Sequence, residues 1–126
     1  MKYKTIAVDL DGTVIQSSNY PYVDSVNLEA VSVLRRFKAM GGKIVIFTCR
    51  AGEGLDLALE ALAHYGVEWD TVNKDTQEAI DNWLSQYPNS PLSPKPWCDL
   101  YIDDKAWPCN LIGIDWKKVG EEICTL

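Results

Sequence analysis

The chain has 126 residues, 47% of them apolar, which is enough for one packed core and sets a single domain, residues 1–126, as the expectation. A formal net charge of −6 argues against a broad electrostatic grip on nucleic acid, which needs clustered Lys and Arg, and favours a small substrate. No apolar run approaches the roughly 18 residues of a membrane span. The four cysteines, Cys49, Cys98, Cys109 and Cys124, lack Cys-x-x-Cys spacing, and Met1 to Lys4 leads straight into a strand-like segment, so reduced thiols and a cytoplasmic location are expected.

Thr5 to Val8 is a short apolar run that ends in acid and glycine, as a buried strand emptying into a loop does. From Asn27, Leu28, Val31, Leu34, Phe37 and Met40 keep helical spacing, and Gly41-Gly42 supplies the stop. Lys43 to Thr48 is continuous, β-branched and too short for a helix, which predicts a second strand covered on both faces. Leu55 to Tyr65 is a helical pattern closed by Gly66, and Val67 to Val72 is a third strand. Asp75 with Glu78 resembles a capping box opening a helix to about Gln86, and Pro88 stops it. A proline-serine loop runs from Asn89 to Pro96. Asp99 to Ile102 is a fourth strand ending in Asp103-Asp104, and Leu111 to Ile114 a fifth, followed by a short helix. Strands alternating with helices predict a three-layer, Rossmann-like α/β domain with a parallel sheet of about five strands.

Parallel sheets bind ligands at the carboxyl ends of their strands. There the chain places Asp9 and Asp11 after the first strand, Thr48 after the second, and Asp103 and Asp104 after the fourth, with Lys95 in the preceding loop and Lys74 as its competitor. Residues two apart on an extended segment point the same way, so Asp9 and Asp11 can address one site. Acids gathered at one edge repel one another unless a cation lies between them, and hard oxygen donors select Mg2+. That combination points to phosphoryl transfer. Asp9 would be the nucleophile that forms an aspartyl-phosphate, and Asp11 the general acid and base. Thr48 and Lys95 would bind the phosphoryl group.

The same features, in the same order, resemble the haloacid dehalogenase-like phosphatase superfamily. The Asp-x-Asp-Gly-Thr motif of that family is matched by Asp9-Leu10-Asp11-Gly12-Thr13, its Thr or Ser by Thr48, its lysine by Lys95, and its acidic pair by Asp103-Asp104 after Tyr101-Ile102. The resemblance implies a magnesium-dependent phosphomonoester hydrolase. It also implies metal ligands from Asp9, the backbone carbonyl of Asp11 and the Asp103-Asp104 pair, with Asp104 slightly ahead. About 35 residues separate Asp11 from Thr48, too few for the usual cap, so a capless site is expected with the loop from Val14 to Asp24, carrying Tyr20 and Tyr22, as its cover. Such members take large phosphorylated substrates or use a partner subunit as a lid, and homo-oligomerisation stays open. The alternatives are a nucleotide or polynucleotide phosphatase, or a silent binding or regulatory protein on the same fold. A signalling receiver domain is disfavoured because the third strand offers only Asp70, inside it.

Other residues have plainer readings. Arg50 and Glu53 either select substrate or are helix-start charges, and His64 is expected at the surface. Trp69 and Trp83 fit core patterns, Trp97 and Trp107 the rim, and Cys49 is expected to be buried.

Overall fold

The structure, a computed structural model, describes residues 1–125. Its elements in chain order begin with β1 (Thr5–Val8), β2 (Ile15–Gln16), β3 (Ser25–Val26), α1 (Leu28–Ala39) and β4 (Lys43–Ile46). They continue with α2 (Gly52–His64), β5 (Thr71–Val72), α3 (Gln77–Gln86), β6 (Leu100–Ile102), α4 (Cys109–Ile112) and α5 (Trp116–Ile123). Among the described residues the main sheet has four strands in the order β5-β4-β1-β6, all parallel. The expected fifth strand is absent among the described residues: Leu111 and Ile112 close the short helix α4, Gly113 ends it at φ +79°, and Ile114 follows outside it, so short an apolar stretch being compatible with either state. Leu111 and Ile112 are exposed, so no sheet draws them into a ladder.

Local chemistry explains the elements that position the site. Asn27 caps α1 by accepting from the Ala30 N–H at 3.0 Å, and Ala30, Val31, Val33, Leu34 and Phe37 form its buried face. Helix α3 starts one residue later than the sequence suggests: Thr76, not Asp75, accepts from the Ala79 N–H. The Asp75 carboxylate is already taken by the Trp97 N–H at 2.6 Å. Only Thr71–Val72 of the expected third strand pairs with β4, because Val67 and Trp69 turn into the core instead.

Right-handed crossovers put α1 and α2, which connect strands advancing in one direction, on one face of the sheet. Side chains of Ile6, Val8, Ile44, Ile46 and Ile102 meet α1, α2 and α5 there in one continuous core. The opposite face is thin: Ala7, Val45 and Cys98 are buried with Phe47 against them, and α3 contributes no fully buried side chain. Trp83 therefore lies 43% exposed on α3 and is not the core residue its periodicity suggests, whereas Trp69 does pack against the core. Between β1 and α1, where a loop alone is expected, β2 and β3 form a small antiparallel pair with Ile15 opposite Val26.

Candidate functional site

The chain advances from β1 to β4 to β5 and then crosses back to β6 on the other side of β1, so the strand order reverses between β1 and β6. Ligand crevices in open parallel sheets form at such a reversal, beyond the carboxyl ends. The register Val8 to Ile102 brings those two ends level, and the Asp9 N–H donates to the Ile102 carbonyl at 3.0 Å. Asp9 and the Asp103-Asp104 pair therefore emerge side by side. One carboxylate oxygen from each of the three lies within 4.8 Å of the others, all in partly buried positions.

Thr13 links the two strand ends. Its hydroxyl accepts from the Asp104 N–H at 3.0 Å and lies 3.2 Å from Asp9 Oδ2 and 3.3 Å from Asp104 Oδ1, so its single proton serves one carboxylate at a time. The backbone that carries it is a tight turn in which the Leu10 carbonyl accepts from the N–H groups of Thr13, Val14 and Ile15. Gly12 sits in that turn at φ +81°, and a Cβ on it would fall 2.2 Å from Asp104 Oδ2. The motif needs a glycine there both for its backbone angle and to leave room for an acid.

Burial and the neighbouring charge of Asp103 push the Asp9 carboxyl up to about 7, against the opposing pull of the Leu10 N–H and the Thr13 hydroxyl. The nearest cation is Lys105, 4.0 Å from Asp104 Oδ2, but its side chain is 86% exposed and offers little compensation. Three hard oxygen donors crowded without an internal counter-charge, with a glycine clearing space beside them, fit a small divalent cation such as Mg2+.

Asp11 lies apart from this trio. Its carboxylate is gripped by Arg50 in a fork, Nε to Oδ2 and Nη2 to Oδ1, both at 2.8 Å. The same guanidinium donates through Nη1 to the carbonyls of Pro21 and Gly54, each at 2.8 Å, and lies 4.9 Å from the centre of the Tyr20 ring. The Asp11 hydrogen bonds raise the Arg50 pKa further, so this cation is permanent.

Thr48 stands two residues beyond the last β4 residue paired with β1, on the same edge as Asp9. Asn73 holds its backbone in both directions, accepting from the Thr48 N–H at 2.8 Å and donating to its carbonyl at 2.9 Å. The Thr48 hydroxyl oxygen accepts from the Arg50 N–H at 3.0 Å, which leaves its own proton free to donate. Lys95 is exposed; its ammonium lies 4.5 Å from the centre of the Tyr101 ring and makes no ion pair with the acids among the described residues. Tyr101 lies on β6, two positions before Asp103, which follows the end of that strand. Lys74 borders a surface hollow beside β5 and the start of α3, which Lys43 at the start of β4 and Asp70 just before β5 also line.

Thr13 is legible in the sequence only as the last residue of the Asp-x-Asp-Gly-Thr motif, and neither its bridging role, nor Asn73, nor the double role of Arg50 is. Asn73 takes a positive φ of 54°, a conformation in which Asn is enriched among residues other than glycine, so its identity after β5 is the one signal the sequence carried for it. Cys49, expected to be buried, is exposed because the chain has left the sheet by then; all four cysteines are free thiols. His64 is exposed, with its ring edge-on to Tyr65. No described helix is long and apolar enough to cross a membrane.

Fold and site together define an α/β protein with a four-stranded parallel sheet and an acidic cluster at its topological switch point. No family model and no curated protein matches the chain. Among solved structures, a conserved protein from Bacteroides thetaiotaomicron is 32% identical, with 94% of this chain and 88% of that one covered and a TM-score of 0.74. A structure-determination target from Vibrio cholerae is 26% identical over 94% of this chain and 98% of its own, with a TM-score of 0.49. The chain belongs to the same family as the Bacteroides protein.

Proposed function

We propose that this chain is a magnesium-dependent phosphomonoester hydrolase of the haloacid dehalogenase-like type, with Asp9 as nucleophile. The observation that carries this reading is the convergence of Asp9, Asp103 and Asp104 from two neighbouring strand ends onto one point, with Thr13 bridging them. Mg2+ would be held by these three acids, with the Asp11 backbone carbonyl added by the family resemblance; when bound, it supplies charge neutralisation at the acids and at a phosphoryl oxygen.

The protein's own groups account for the rest. One Asp9 oxygen attacks phosphorus, the bond from phosphorus to the ester oxygen breaks, and Asp11, entering the step protonated, gives that oxygen its proton. Water then attacks phosphorus with Asp11 taking its proton, which returns the Asp9 carboxylate and releases inorganic phosphate. The free Thr48 proton is available to a phosphoryl oxygen, and Lys95 would have to leave the Tyr101 ring to serve as the second phosphoryl-binding group. With no cap over the strand ends among the described residues, a phosphorylated small molecule can approach from solvent, and a net charge of −6 disfavours nucleic acid.

The test is phosphate release from a panel of monoesters with magnesium, then with chelator. Release that depends on magnesium and disappears in Asp9→Asn supports the reading; equal release by wild type and Asp9→Asn removes Asp9 from the chemistry. A protein silent on every ester would instead be a binding or regulatory member of the fold.

A further inference from the structure

A buried guanidinium costs several kcal/mol unless its donors are matched, and Arg50 is 3% exposed. Its partners are drawn from three separate segments: Asp11 after β1, Tyr20 and Pro21 in the loop between β2 and β3, and Gly54 in the first turn of α2. The fit extends to Gly54, where a Cβ would fall 2.2 Å from the Tyr20 hydroxyl, so glycine lets the loop seat against α2. The pair is also one-sided, with the Arg50 side chain 1% exposed and that of Asp11 44%. The carboxylate is gripped from the protein side and keeps its other edge open to solvent.

We propose that Arg50 is the positioning residue of the site: it fixes the Asp11 carboxylate in orientation and ties that orientation to the seating of the Tyr20-Pro21 loop. The proposal rests on the reading of Asp11 as general acid and base. A fork onto both carboxylate oxygens sets the plane of Asp11 in a way that a point charge does not, so lysine is no substitute. Loop seating and acid placement then rise and fall together, since the same guanidinium serves both.

Steady-state kinetics with magnesium on two esters, p-nitrophenyl phosphate and a simple alkyl phosphate, test this. Nitrophenolate leaves without a proton; an alkoxide needs one. Asp11→Asn is expected to lower kcat on the alkyl ester about a hundredfold or more, and far less on the aryl ester. Arg50→Lys is expected to lower alkyl-ester kcat by about tenfold to a hundredfold with KM nearly unchanged, and to add nothing in the Asp11→Asn background. Tyr20 is 60% exposed, so Tyr20→Ala folds and is expected to show a smaller loss with the same leaving-group dependence. Should Arg50→Lys fail to fold, Tyr20→Ala and Gly54→Ala carry the test.

Equal losses on both esters, or losses that multiply with Asp11→Asn, would reduce Arg50 to a tether and overturn the proposal. Wild type that releases no phosphate from either ester is a different result: it removes the hydrolase reading, and this proposal with it.

Discussion

Asp9 and Asp11 leave the same strand end, yet Asp9 faces two further carboxylates and holds its proton up to about 7, whereas Asp11 is gripped through both oxygens by Arg50 at 2.8 Å. One acid stands where charge is in excess; the other has its cation supplied from within the chain. The difference separates two tasks that a pair of neighbouring acids can perform. A carboxylate without a cation of its own inside the chain is available to a metal ion and to phosphorus, while one held in a fork is fixed in direction. Thr13 belongs to the first environment and Tyr20 to the second, so each can be disturbed without touching the other.

The largest break in this contrast is expected from Asp9→Asn, which keeps the size of the side chain and removes the nucleophile. Magnesium-dependent phosphate release should fall about a thousandfold or more, and a rate within tenfold of wild type would end the nucleophile assignment. Next comes Thr13→Val, which leaves Asp9 and Asp104 without their shared hydroxyl. Loss of such an outer partner is expected to weaken magnesium binding about 10- to 100-fold, read from the magnesium dependence of turnover, with Asp11 and its partner unaffected. Gly12→Ala places a Cβ against Asp104 at φ +81°, and about 1–3 kcal/mol of stability should be lost in denaturant titration. An unchanged midpoint would show that the turn relaxes freely.

Much of this arrangement is legible in the sequence because it depends on local runs. Thr5–Val8 and Leu100–Ile102 are short apolar stretches that end directly in acids, and parallel pairing then brings Asp9 to Asp103 and Asp104 with no further information. Arg50 is different: 39 positions separate it from Asp11, and its other partners are backbone carbonyls, which leave no trace in residue identity. Leu111 to Ile114 shows the limit for apolar runs, since so short a stretch suits a helix end as well as a strand, and here Leu111 and Ile112 close α4. Trp83 shows the limit for periodicity. Helical spacing gives Trp83 a core pattern, but spacing cannot say whether a second layer covers that side of α3, and here Trp83 and Leu84, with Tyr87 at the cap, remain exposed.

The smallest effect tests the crowding of Asp9 directly. In the unfolded chain an aspartate loses its proton near pH 4, whereas native Asp9 holds it to about 7 because of burial and the charge of Asp103. Between those limits the native state binds the extra proton, so in chelator the Asp9 contribution makes stability fall as pH rises from about 4 to about 7, and the slope ends above that. Asp9 is only partly buried and solvent screens its neighbours, so the change should be about 1 kcal/mol, a few degrees in Tm. Asp24 and Glu122, whose carboxyls lie below the usual range, pull the other way, but they are common to wild type and Asp9→Asn. The informative quantity is therefore the difference in Tm between those two proteins across the window. It should shift against wild type as pH rises in chelator, and magnesium should reverse it by binding the ionised cluster; a difference that stays flat in both conditions would mean that Asp9 is not under electrostatic pressure.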